Sequence, residues 1–185
     1  MKKCFLLLLI LISCNKIKRE NPKIATKTIV EKKQLHKFYD SDEIDHYYLN
    51  ISEKAALDIL KIDHKTSDEL ILSKLLCSYY PNSISEINLE DKLKKFKFVK
   101  TVLDKTKKTQ VENIFSEKDS IQSDFSGCIP YYRDIFIFKK NDSIIGISKV
   151  CFGCGVSQFI GSKINTDGFG LRSELEKLEI ILRKK

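Results

Sequence analysis

Tryptophan is absent, methionine occurs once and proline three times. The missing tryptophan removes one of the commonest anchors of binding clefts. No apolar run reaches the roughly 18 residues of a membrane-crossing helix, which excludes an integral membrane protein of that kind. Glycine is scarce and lopsided: all seven lie between Gly127 and Gly170, and residues 1–126 have none. That asymmetry predicts a helix-rich first part with polar turns and a last third of strands with tight corners. No H-E-x-x-H spacing and no G-x-S-x-G elbow occurs, so metalloprotease and hydrolase chemistry lack their local signatures. What is present, 42% apolar and 31% charged residues over 185 positions, supports one domain with its own core and excludes a disordered tail.

The N-terminus addresses the chain to a location. Met1-Lys2-Lys3 is a short basic start, followed after Cys4 by the apolar run Phe5 to Ile12 and then Ser13-Cys14. A basic region, a short apolar region and a small residue before a cut site describe a secretory signal peptide over residues 1–13. Leu11-Ile12-Ser13-Cys14 resembles the lipobox of bacterial lipoproteins. That resemblance implies cleavage before Cys14, lipidation of its sulfur and a mature chain that begins there. Acyl chains contribute about 0.8 kcal/mol per buried CH2, so several on one cysteine hold a protein to a bilayer.

Charge separates tether from body. Residues 15–37 carry eight basic side chains against Glu20 and Glu31, whereas residues 38–185 are neutral. The overall +8 therefore comes from the basic tether 14–37 and from Lys2 and Lys3. Such a stretch either meets anionic headgroups, at about 1 kcal/mol per residue near the surface, or serves as a solvated linker. No folded face inherits the excess, so nucleic acid is not an expected partner. In some lipoprotein families an acidic stretch after the cysteine directs export to the cell surface. Asn15-Lys16-Ile17-Lys18-Arg19 lacks it, which favours a periplasm-facing anchor on the cell envelope.

The globular part, 38–185, reads as a single small α+β domain with a helical N-terminal half. Ser52 precedes Glu53 to Ile62, in which Ala56, Ile59 and Leu60 share a helical face. Thr66-Ser67-Asp68-Glu69 has capping-box spacing and opens a second helix. Residues 93–103 read as a strand and 107–117 as a short helix. In the last third, Tyr131 to Phe138 and Ser143 to Phe152 form an antiparallel hairpin about Asn141-Asp142. Counting outward from that two-residue loop sets Asp134 opposite Lys149 as an opposite-charge pair. Val156 to Ile160 gives a third strand, and Leu171, Leu175, Leu178 and Leu182 mark a C-terminal amphipathic helix with a Glu179–Arg183 pair.

The cysteines are the one chemical constellation. With Cys4 removed and Cys14 lipidated, Cys77, Cys128, Cys151 and Cys154 remain, an even set that outside the cytoplasm reads as two disulfides. The hairpin count gathers Cys128, Cys151 and Cys154 at one open end, so a Cys128 bridge to Cys154 or Cys151 is the first reading. A loop of that length, roughly 25 residues, gives about 3 kcal/mol. Two further readings stay open. Cys151-Phe152-Gly153-Cys154 has the spacing of a redox pair, though without a helix N-terminus to stabilise a thiolate. Cys77, Cys128, Cys151 and Cys154 together would supply a four-thiolate zinc site.

Cys128-Ile129-Pro130-Tyr131-Tyr132-Arg133-Asp134, followed by Val150-Cys151-Phe152-Gly153-Cys154, resembles a pattern in small uncharacterised bacterial proteins. These carry C-x-P-x-Y-R-D, a hairpin and I-C-F-x-C, often behind a lipoprotein signal. The resemblance covers about residues 93–185 and implies the fold of that part and the grouping of its cysteines. Elsewhere, His36, His46 and His64 read as surface histidines, and Arg133 beside Asp134 as an internal pair. The functional expectation is a lipid-anchored envelope protein that binds a partner, without catalytic residues and without a cofactor. A thiol-disulfide protein using Cys151 and Cys154, a structural zinc protein and an immunity-type inhibitor are the alternatives.

Overall fold

The computed structural model describes residues 35–118 and 127–183. Ten elements follow in the order β1 (Glu43–Tyr48), α1 (Glu53–Leu60), α2 (Ser67–Cys77), α3 (Leu89–Lys95), β2 (Val99–Val102), α4 (Lys105–Ile114), β3 (Asp134–Lys140), β4 (Ser143–Cys151), β5 (Val156–Ile160) and α5 (Arg172–Arg183). The strands make one antiparallel sheet in the order β2-β1-β3-β4-β5. The α+β class and the C-terminal helix thus stand.

Both faces of the sheet are covered. On one, Ile135, Ile137 and Ile147 pack with Ala56 of α1, Leu75 and Leu76 of α2, and Leu89 and Leu93 of α3. On the other, Ile44, Phe136, Phe138 and Val150 pack with Val111 of α4 and Leu175 and Leu178 of α5. Burial on two faces explains why central β3 reads Ile-Phe-Ile-Phe without alternation. Phe115 fills the second layer, with ring centroids 5.1 Å from Phe136 and 5.5 Å from Phe138.

Local chemistry sets several boundaries. The Thr66 hydroxyl accepts from the Glu69 N–H, and the Glu69 carboxylate accepts from the Thr66 N–H, so α2 starts with the full capping box. Ser52 and Asp104 cap α1 and α4 with the side-chain half of that arrangement alone, Ser52 accepting from the Ala55 N–H and Asp104 from the Thr106 and Lys107 N–H groups. Residues 93–103 are not one strand. Leu89 and Leu93, four apart, are buried on one side of α3, and a turn with Lys97 at φ 66° precedes the short strand β2. The N-terminal half also contains β1, a segment to which the apolar pattern gives no element. Its Asp45 and His46 are as buried as its Ile44 and Tyr47, so alternation is hidden there.

The hairpin carries the main correction. Asn141 and Asp142 both take positive φ, as a type I′ turn requires, and Lys140 pairs with Ser143. Lys139 then pairs with Ile144 but Phe138 with Gly146, so Ile145 is an extra residue in β4. Asp134 consequently faces Val150, and Lys149 faces Ile135. The bulge sits where the Tyr39 ring crosses the strand: a Cβ on Gly146 would lie 2.2 Å from ring carbons. The Tyr39 hydroxyl donates to Ile160 O across the same strands, and burial pushes its pKa up to about 12.

Candidate functional site

The cysteine-bearing end of the sheet is the candidate site. β4 ends at Cys151, and a tight turn returns the chain to β5, with the Gly155 N–H donating to Cys151 O at 2.9 Å and Gly155 at φ 68°. Cys154 lies in that turn, at disulfide-bonding distance from Cys128, with Cα atoms 5.9 Å apart. Cys151 and Cys77 are free thiols, the first buried and the second partly so. The two sulfurs of the Cys-x-x-Cys spacing are not bonded to each other: Cys154 pairs with Cys128, while Cys151 packs beside Cys154 and Tyr132 as a free thiol. Among the described residues no group of three or more His, Cys, Asp or Glu side chains is arranged to hold a metal ion.

The stretch 131–134 anchors this end. Tyr132 is buried and donates its backbone N–H to Leu76 O at 2.7 Å, joining the last turn of α2. Arg133 lies over the rings of Tyr48 and Tyr131, at 6.0 and 5.3 Å. Asp134 does not pair with Arg133. Its carboxylate accepts two bonds from the Arg183 guanidinium at 2.8 and 2.9 Å and one from His46 Nε2 at 2.8 Å. Arg183 is thus taken by Asp134 rather than by Glu179, and it stacks on Tyr48 at 4.1 Å. His46 is a core histidine, in contrast to exposed His36 and His64.

Lys149, expected opposite Asp134, has a different setting. It is fully buried. Its ammonium donates to Ser78 O at 2.6 Å and Tyr80 O at 2.8 Å and lies 4.3 Å from the Tyr132 ring centre. Burial pushes its pKa down to about 7. The signal was visible, since a lone lysine sits inside the apolar run Ile144 to Val150. Counting without the bulge assigned it to the wrong face.

Beside the turn, a cleft of about 530 Å³ is lined by Phe152, Gly153, Cys154, Gly170, Leu175 and Glu179. Gly170, at φ 106°, lets α5 begin against the turn, because a Cβ there would stand 2.9 Å from Gly155 O. The chain matches no known protein family, curated protein or solved structure. Cys14, the signal 1–13 and nearly all of the tether 14–37 lie outside the described residues. At the tether's last residues, His36 O accepts from Glu117 N–H at 2.8 Å and Lys37 pairs with Glu112 at 2.7 Å. Among the described residues no helix is long and apolar enough to cross a membrane.

Proposed function

We propose that this chain is a lipid-anchored cell-envelope protein that binds a partner and catalyses no reaction. The observation that carries the reading is the sequence Leu11-Ile12-Ser13-Cys14 behind a basic start and an apolar run. Two features of the folded part support it. The charged groups at the site are engaged: buried Asp134 accepts from buried His46 and from Arg183, which closes over it from the surface. Cys154 is bonded to Cys128, and Cys151, packed beside it and Tyr132, is buried away from a substrate disulfide. The open cleft beside Cys154 is the concave surface for a partner.

The test is the intact mass of the protein extracted from membranes of a bacterial expression host. A mass lacking residues 1–13 and carrying acyl groups, both lost in a Cys14→Ala variant, is the expected result. A soluble product that keeps its first thirteen residues and carries no lipid overturns the reading. For the binding part, cross-linking in envelope extracts with a probe placed at Glu179 should capture a partner that a probe at exposed His64 does not.

A further inference from the structure

The two free thiols lie at the same end of the sheet, Cys151 buried and Cys77 partly so. Helix α2 ends on Cys77, and the carbonyls on either side of it are held by the sheet end: Leu76 O by the Tyr132 N–H and Ser78 O by the Lys149 ammonium. Lys149 and Cys151 are two apart on β4, so their side chains leave the same face, toward α2. Cys151 packs with Tyr132, whose ring lies against Lys149. The thiols are within electrostatic reach, since charge on Cys151 raises the pKa of Cys77. Burial, the larger cause, pushes Cys77 up to about 11.

We propose that Cys77 and Cys151 are a second oxidisable pair, closed into a disulfide by exchange with a small-molecule or protein disulfide, tying the end of α2 to the end of β4. A Cys77 thiolate, its proton given to solvent, attacks one sulfur of the oxidant; a mixed disulfide forms and the oxidant's other sulfur leaves as a thiolate. The Cys151 thiolate then attacks the Cys77 sulfur and expels the second oxidant thiolate. Two protein thiols are oxidised and one oxidant disulfide is reduced to two thiols. With Cys77 only partly exposed and weakly acidic and Cys151 buried, the pair reacts slowly once folded, so closure belongs to oxidative folding. The link would staple the helical layer to the sheet beside the place where Cys128 and Cys154 staple the 127–133 segment. The envelope reading enters only in supplying the oxidising compartment. The chemistry is tested on purified protein, so either idea can fail alone.

The full chain is reduced, unfolded and refolded in mixed reduced and oxidised glutathione at pH 8, then quenched in acid and alkylated under denaturing conditions. Digestion uses trypsin and chymotrypsin, the latter cutting at Phe152 between Cys151 and Cys154. The expected product is a peptide pair joining Cys77 to Cys151, replacing both alkylated peptides, and the same link forms in a Cys128→Ala, Cys154→Ala variant. That variant, refolded without glutathione disulfide, should unfold at lower urea than when refolded with it. Alkylated Cys77 and Cys151 in a protein whose Cys128–Cys154 bond has formed, or Cys151 joined to Cys154 or Cys128, overturns the proposal.

Discussion

Asp134 and Lys149 lie on neighbouring strands, both buried, and are neutralised by different physics. Counting from the turn makes them partners. The one-residue bulge at Ile145 puts them on opposite faces, because a register slip of one moves every later side chain through the sheet. Asp134 therefore meets α5 and takes its counter-charge from Arg183, with His46 as a second donor. Lys149 meets the end of α2, where it has carbonyls and an aromatic face but no carboxylate. One face keeps its charge by pairing, while the other lowers the cost of burial by making the charge easy to lose.

Asp134→Asn breaks the paired side. It leaves Arg183 and His46 facing a neutral amide, and breaking a buried pair costs about 4 kcal/mol, read as a lower urea midpoint. Gly146→Ala attacks the bulge that separates the two residues. Its methyl group collides with the Tyr39 ring, and overpacking of this kind costs about 3 kcal/mol; paired with Tyr39→Leu, which removes the ring, most of that loss should return.

Lys149 sharpens the contrast through pH. Its folded pKa, about 7, lies below the ordinary lysine value, so the unfolded chain binds the extra proton above pH 7 and stability rises with pH. Cys77, whose folded pKa is raised from 9.0 to about 11, contributes stability that is present below pH 9 and lost above it. The window from pH 7 to 9 therefore isolates Lys149, with a gain of about 2 kcal/mol at 1.36 kcal/mol per pKa unit. Lys149→Met should flatten that rise in urea titrations at the two pH values; an unchanged slope would show that the lysine stays charged. The smallest effect is the yardstick Thr66→Ala, which removes a cap distant from both residues and costs about 1 kcal/mol at either pH.

These contrasts also mark what the residues disclose before folding. Thr66 and Glu69 declare the start of α2, since a capping box is local and needs no tertiary partner. Asn141-Asp142, the run Val156 to Ile160 and the leucines of α5 are legible for the same reason. β1 was silent because Asp45 and His46 are buried by partners far along the chain, so polarity there does not mean exposure. α3 and β2 blur because Leu93, Phe96 and Phe98 satisfy helical and extended spacing at once. The pairing of Cys128 with Cys154 was reachable from the grouping at the hairpin's open end, although the count behind it was off by one. The setting of Cys151 and Cys77 was not, because it depends on which way a strand faces beyond the bulge.

Ile145 makes this hairpin tolerant of exchange and brittle to length. Swapping its side chain leaves the strand's order intact, whereas deleting that codon would rotate everything from Gly146 to Cys151 by half a turn. Lysine would arrive beside aspartate, and a cysteine sulfur would leave the helix it faces. Inherited variation in this stretch should therefore accumulate as substitutions and not as gaps.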